Sequence, residues 1–222
     1  AFSKFSCRLD VDEVNATHRT AVGWTSLRSA LCRAFAVSFR FDRRGVPGYS
    51  AVREASDWIA SRGGYVPLAA PAAAFGPVYS TWYAFHQNVT AEAVEAACRK
   101  ASAMGMRTLI LDDGWQTDDT RRGYAFCGDW RPAPSKFPDM AAHVRRVQAE
   151  GVRYMVWFTV SMVGYKNAVH ERFKGKYLKE QETVHCSILD PRFPEVRAYI
   201  VGMFERAMRE WGVDGFKIDY VG

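Results

Sequence analysis

The sequence predicts an α/β protein, the greater part of which forms the first four strands of a (β/α)8 barrel. Three observations carry that expectation. From Gly76 onward a unit of helix, glycine and short apolar strand recurs three times. The first strand-to-helix connection lacks the glycine-rich phosphate loop of a nucleotide-binding doubly wound sheet. The segments after the strands, Gly114 to Pro138 above all, are long and rich in polar and aromatic residues, as the site-building loops of a barrel are. Strands separated by helices require right-handed parallel crossovers, so the sheet should be parallel with helices packed outside it.

Residues 1 to about 76 read differently from the rest. Loose alternation in Ala34-Phe35-Ala36-Val37-Ser38-Phe39-Arg40-Phe41 predicts a half-buried strand, and Asp42 to Gly48 a turn. A short helix is expected from Val52 to Arg62, closed by Gly63-Gly64. The Pro/Ala-rich run Pro67 to Pro77 then has the composition of a connector, which puts a domain boundary near residue 76.

Val78 to Tyr83 is the expected first strand of the parallel set. Thr90 is placed to N-cap a helix over Ala91 to Met104, with Glu92 in its first turn, and Gly105 precedes a strand from Met106 to Leu111. Pro138 stands near the start of a helix running to Glu150, followed by Gly151 and a strand from Val152 to Phe158. Pro194 opens a helix to Trp211, and Gly212 leads into a strand from Phe216 to Asp219. Half a barrel leaves sheet edges and an interior face uncovered, so the 222 residues are expected to be marginally stable alone or to self-associate. The chain reads as cut short.

Composition excludes several classes. With 48% apolar and 24% charged residues the chain suits a soluble globular protein, and it has no apolar run long enough for a membrane span. Its start lacks both an initiator Met and an uninterrupted apolar stretch ending in a small-residue cleavage site, which reads as a cut or processed chain, so the compartment is left open with the cytoplasm favoured. The five cysteines are odd in number and far apart, so reduced, mostly buried thiols are expected. The five histidines make no ligand spacing, and neither metal nor cofactor is predicted. A net charge of +6 invites a nucleic-acid reading, yet the basic pairs Arg43-Arg44, Arg121-Arg122 and Arg145-Arg146 are dispersed, and solvated faces explain them more simply.

Two strand ends carry the candidate chemistry. Asp112-Asp113-Gly114-Trp115 ends one strand with paired carboxylates, which could cap a loop, bind a cation or accept hydrogen bonds from adjacent sugar hydroxyls. Trp82, Trp115, Trp130 and Trp157 fall at or just beyond strand ends, where their flat faces suit a pyranose, with core packing as the competing role. Lys217 and Asp219 are two apart on a strand and share a face. A lysine there keeps the carboxylate ionised, as a nucleophile must be. An ion pair kept for stability alone would be expensive in a barrel interior.

The order of Trp82, Asp112-Asp113-Gly114-Trp115, Trp130, Lys136-Phe137-Pro138-Asp139, Trp157, Leu189-Asp190-Pro191 and Lys217-Ile218-Asp219 resembles the catalytic barrel of the α-galactosidase (melibiase) group, glycoside hydrolase family thirty-six and its clan relatives. The resemblance covers about residues 76 to 222. It implies that residues 1–76 are the tail of a preceding β-sandwich domain and that 77–222 are the first half of the catalytic barrel. It also implies a retaining glycosidase with Asp219 as nucleophile, Asp112, Asp113 and Lys217 holding sugar hydroxyls, Trp157 with Trp82 and Trp115 lining the site, and an α-galactoside or related oligosaccharide as substrate. The partner acid would come from a later strand, beyond residue 222. Ile218, Tyr220-Val221 and Phe158 to Val163 depart from the group's usual residues near the sugar. They leave open another α-glycoside or transfer to a sugar acceptor, while the lack of an acid/base within these residues leaves open a sugar-binding protein without catalysis.

Overall fold

The structure, a computed structural model, describes residues 4–12, 17–25, 44–61, 68–121 and 123–221, with the backbone alone for the first two segments. The chain divides into two compact units, Ala1–Leu68 and Ala69–Gly222.

In the first unit, β1 (Lys4–Asp12) and β2 (Thr17–Thr25) form an antiparallel pair in register from Lys4↔Thr25 to Asp12↔Thr17. Neither strand is anticipated above, although Phe5, Cys7, Leu9 and Val11 alternate with polar residues, the period-two signal that marks a strand. The strand expected at 34–41 lies outside the described residues, as do the Gly63-Gly64 stop and the first part of the turn before Gly48. Helix α1 covers Gly48–Ala60 and starts four residues earlier than expected, because Pro47, at φ −55°, stands at its N-cap.

The second unit opens with β3 (Val78–Ser80), shorter than expected because the chain turns at Thr81 into the one-turn helix α2 (Trp82–Phe85). Helix α3 (Ala91–Ala103) is capped by Thr90, whose side chain accepts from the Ala93 N–H at 3.3 Å. It ends at Gly105, whose φ of +88° only glycine adopts readily, and β4 (Thr108–Leu111) follows. Helix α4 (Met140–Ala149) is capped by Asp139, which accepts from Ala142 N–H at 2.8 Å, and not by the neighbouring Pro138. It buries Met140, His143, Val144 and Val147 while Arg145 and Arg146 face solvent. Then comes β5 (Arg153–Phe158).

Between β5 and the last helix the chain builds an unanticipated small sheet. β6 (Met162–Gly164), helix α5 (Ala168–Arg172), β7 (Tyr177–Gln181) and β8 (Cys186–Leu189) follow in order, with the strands arranged β6-β8-β7 and antiparallel throughout. Helix α6 (Pro194–Arg206) then widens into a π-helical turn over Ala207–Trp211 before β9 (Gly215–Ile218).

The main sheet has the order β3-β4-β5-β9 with every pair parallel. Its register aligns Ser80, Ile110, Met155 and Gly215 across the four strands, and Trp157 with Lys217 one pleat further on. Side chains on a strand alternate between faces, so Ile110 and Asp112, Met155 and Trp157, and Gly215, Lys217 and Asp219 lie on one face. Leu109, Leu111, Tyr154, Val156 and Phe216 lie on the other, packed with Val94, Cys98, Val144, Val147 and Met203 of the helices. Leu109, Leu111, Tyr154 and Val156 are fully buried there.

Candidate active site

The carboxyl ends of the four strands gather the charged residues. β9 continues one rung past its last strand residue, because Asp219 N–H donates to Phe158 C=O at 2.9 Å, and this pins the Asp219 backbone beside β5. Its side chain is then held at both oxygens. Oδ2 accepts from the Trp157 indole Nε1–H at 3.0 Å and faces the Lys217 ammonium at 3.8 Å, while Oδ1 accepts from the Tyr220 N–H at 3.0 Å. The indole hydrogen bond, then the Tyr220 N–H and the Lys217 charge, outweigh partial burial and hold the Asp219 carboxyl below the usual carboxylate range.

Lys217 also donates to Asp112 Oδ2 at 2.7 Å, so one ammonium bridges two carboxylates. Burial pulls the Lys217 pKa down, but the hydrogen bond to Asp112 and the charges of Asp112 and Asp219 leave it above its ordinary value. Asp112 is placed by its own backbone: its N–H donates to the Thr81 hydroxyl at 2.9 Å, and its Oδ1 accepts from Asp113 N–H at 2.9 Å. Its side chain is only 4% exposed, against 37% for Lys217 and 40% for Asp219, so the last two form the accessible edge of the triad.

Asp113 is not part of this group. Its carboxylate turns inward and accepts from Gln87 Nε2 at 2.6 Å and Gln116 Nε2 at 2.7 Å. Burial pushes its pKa above the usual range although both amides pull the other way. Adjacent residues at a strand end point to opposite sides, which is why only one carboxylate of the pair meets Lys217. Gln87 and Gln116, which the sequence did not single out, are the residues that occupy Asp113. The loop carrying them is tight: Gly114 has a φ of +109°, and a Cβ there would lie 2.4 Å from the Gln87 Cα. Lys136 staples the same turn by donating to the carbonyls of Gln87 at 2.7 Å and Gly114 at 2.9 Å.

The tryptophans divide as well. Trp115 is fully buried among Trp130, Phe158 and Trp211 and donates Nε1–H to the Trp157 carbonyl at 3.0 Å, so it anchors the loop in the core and offers no face to a ligand. This corrects its expected place in a sugar site. Trp130 is buried in the same cluster. Trp157 is 2% exposed, with Tyr124 stacked on it and Trp130 against its edge, and it reaches the site through its Nε1–H alone. Trp82 opens α2 half-buried, edge-on to His86. Two tyrosines complete the surroundings: Tyr220, marked above as a departure near the sugar, and Tyr124, which the sequence did not mark. Tyr220 follows Asp219 with a φ of +54°, and its hydroxyl accepts from the Tyr124 hydroxyl at 3.0 Å. That contact joins residues 96 apart and leaves no local sequence signal.

Among the described residues no group of three or more His, Cys, Asp or Glu side chains is arranged to hold a metal, and no helix is long and apolar enough to cross a membrane. Cys98, Cys127 and Cys186 are free and buried, and burial pushes each thiol up, Cys186 to about 11.

A parallel α/β domain that brings a lysine and two carboxylates together at the carboxyl ends of its strands has the layout of a catalytic domain of the α/β class, whose sites are built at that end. The chain belongs to the melibiase family, whose model matches residues 74–221. It is similar to the probable α-galactosidase G of Emericella nidulans, at 23% identity over 157 residues that make up 64% of this chain and 22% of the relative. An A type blood α-D-galactosamine galactosaminidase of Flavonifractor plautii is 25% identical over 152 residues, 60% of this chain and 13% of that one. Among solved structures, a variant of the α-galactosidase AgaA of Geobacillus stearothermophilus in complex with raffinose shares the fold, with a TM-score of 0.60 at 19% identity over 65% of this chain and 21% of that one. The chain thus spans 22% of the first of these relatives and 13% of the second.

Proposed function

We propose that residues 77–222 are the first half of the catalytic barrel of a retaining α-glycosidase acting on α-galactosides, preceded in 1–76 by the tail of a β-sandwich domain. The observation that carries this reading is Asp219: a half-exposed carboxylate at the carboxyl end of a parallel strand, held ionised by an indole N–H, a backbone N–H and a lysine. A nucleophile needs that state. Its oxygen attacks the anomeric carbon, the bond to the aglycone oxygen breaks, and that oxygen takes a proton from a second carboxyl about 5 Å away. The glycosyl ester on Asp219 is then cleaved by water, which the second carboxyl deprotonates. No residue of this chain is assigned to that acid/base.

Lys217 and Asp112 would hold the sugar hydroxyls, and Trp82 would flank them. Asp113 contributes by fixing the turn after Asp112, since Gln87 and Gln116 occupy it. No metal or cofactor enters the mechanism. A second reading, an α-glycosidase for a sugar other than plain galactose, is favoured by Tyr220, whose bulky side chain in a left-handed backbone conformation stands directly after the nucleophile.

The test is covalent trapping. A 5-fluoro-α-galactosyl fluoride carries a leaving group that needs no protonation, so glycosylation depends on the nucleophile and the sugar site. The full protein, with its complete barrel, should gain the mass of one glycosyl group on the peptide containing Asp219, and its Asp219→Asn variant should gain none. Labelling of another residue, or of none, would remove Asp219 from the mechanism.

A further inference from the structure

Tyr124 separates two sites. Its side chain lies on Trp157 and bonds Tyr220, next to Asp219, whereas its neighbours Gly123 and Ala125 line a cavity of about 400 Å3. The cavity is bounded by Asp119, Arg121, Gly123 and Ala125 in the loop after β4, by Tyr165-Lys166 after β6, and by Thr183-Val184-His185 before β8. All three belong to connections that leave the carboxyl ends of β4 and β5, the end of the sheet that carries Asp219.

The walls are joined through their main chains. Tyr124 N–H donates to Val184 C=O at 3.1 Å, Tyr165 N–H to His185 C=O at 3.0 Å, Lys166 N–H to Ala125 C=O at 2.8 Å and Gly164 N–H to Cys127 C=O at 2.7 Å. Gly164 permits this approach, since a Cβ there would meet the Ala125 carbonyl at 2.1 Å. The cavity therefore belongs to the backbone fold and does not depend on how surface side chains happen to lie. Its volume falls in the range of about 300–1,000 Å3 usual for small-ligand sites.

Its polar groups are mostly donors without acceptors. Lys166 lies 5.3 Å from the Phe126 ring and pairs with no carboxylate among the described residues. Arg121 grips Asp119 through Nε at 2.7 Å and Nη2 at 2.8 Å, leaving Nη1 without a partner among the described residues. That contact also neutralises Asp119, the one carboxylate among the described lining residues. The Tyr165 hydroxyl is closed off from the cavity, turned toward Ser187, so that residue offers the cavity its ring and not its hydroxyl. A ligand that satisfies this set must bring acceptors and negative charge.

We propose that the cavity is a subsite for a uronate residue on the aglycone side of the substrate, with its carboxylate on Lys166 and the free edge of Arg121 and a hydroxyl on Thr183. The inference rests on the glycosidase reading for the word substrate, and on the cavity alone for the uronate.

Two measurements test it separately. In the full protein, kcat/KM for an α-galactosyl glucuronide should exceed that for the uncharged α-galactosyl glucoside by about tenfold, the size of one charge-assisted hydrogen bond. Lys166→Glu should abolish that preference, Lys166→Arg should keep it, and p-nitrophenyl α-galactoside, which carries no carboxylate, should be turned over equally by all three. A preference that is absent from the wild type, or unchanged in Lys166→Glu, overturns the subsite. If no α-galactoside is cleaved, the glycosidase reading fails on its own. The subsite is then judged by glucuronate binding: amide resonances of residues 123–125, 165–166 and 183–185 should shift with glucuronate and not with glucose, and the response should vanish in Lys166→Glu. No shift, or a shift that survives the substitution, overturns it.

Discussion

Asp219 is poised by neighbours that act on different oxygens, and each can be removed separately. Asp219→Ala should abolish turnover of an α-galactoside in the full protein, and azide, a small nucleophile able to occupy the vacated space, should restore part of it; near-normal activity without azide would rule out the assigned role. Trp157→Phe keeps the ring but deletes the indole donor, the largest influence lowering the Asp219 pKa. The carboxyl pKa then rises toward its ordinary value, so the acid limb of the kcat/KM profile should move to higher pH, since a higher pH is needed to ionise the nucleophile. An unmoved acid limb would show that the limb belongs to another group. At this scale the sequence was informative where chemistry follows from alternation. Lys217 and Asp219 share a face because they are two apart, and the structure places them 3.8 Å from each other. It was misleading for Asp112-Asp113, because adjacency looks like cooperation while a strand end sends the two carboxylates apart. Only the fold brings Gln87 across 26 residues to take up Asp113.

Helices and strands were legible where local signals are strong. Thr90, Gly105, Gly151 and Gly212 mark element ends because a side-chain cap or a left-handed backbone is needed there, and the three glycines have φ of +88°, +72° and +71°. Boundaries shifted where tertiary contacts decide them, as at Ser80. The β6-β8-β7 sheet escaped notice because two of its strands have only three and four residues and its stability comes from docking, with Gly164 pressed on Ala125. Packing between elements also yields a prediction that no single element contains. His143 of α4, fully buried, bonds Glu95 of α3 at 2.8 Å through Nδ1 and Tyr154 of β5 at 3.1 Å through Nε2. Burial holds the imidazole neutral, with its pKa below the ordinary value despite Glu95. The unfolded chain then takes up a proton that the folded one refuses, so stability is complete above the unfolded pKa of about 6.5 and declines as pH falls toward and through the lower folded value. His143→Ala should cost about 3 kcal/mol at neutral pH, because the buried Tyr154 hydroxyl loses its partner, the partly buried Glu95 keeps only Arg146, and a cavity is left in the core, and its urea midpoint should lose the part of the pH dependence between pH 7 and 5 that the wild type owes to this group. Equal pH dependence in both proteins would mean that His143 titrates alike in the folded and unfolded chains.

For the whole molecule the governing fact is the face of the sheet that no α-helix covers among the described residues, where only the short 3-10 turn Ala72–Phe75 lies against it. Val78, Ile110, Met155 and Gly215 line a groove of about 580 Å3 together with Pro71, Ala73 and Ala74, on the same face as Lys217 and Asp219 but toward the opposite ends of the strands. β3 and β9 pair on one side only among the described residues. An apolar sheet face and two open strand edges are what further parallel strands of a barrel would cover, and a sheet that stays uncovered recruits other chains. The 222 residues alone should therefore bind a hydrophobic dye such as ANS and sediment with a concentration-dependent increase in mass. Ile110→Lys should reduce both by placing a charge in the groove, and, if the half-barrel proposal holds, a longer chain that adds parallel strands at these edges should suppress both while leaving Lys217 and Asp219 in place. A dye-silent monomer that melts cooperatively would show that the sheet is satisfied as it stands, and the half-barrel proposal would then have to be abandoned even if Asp219 proved to be the nucleophile.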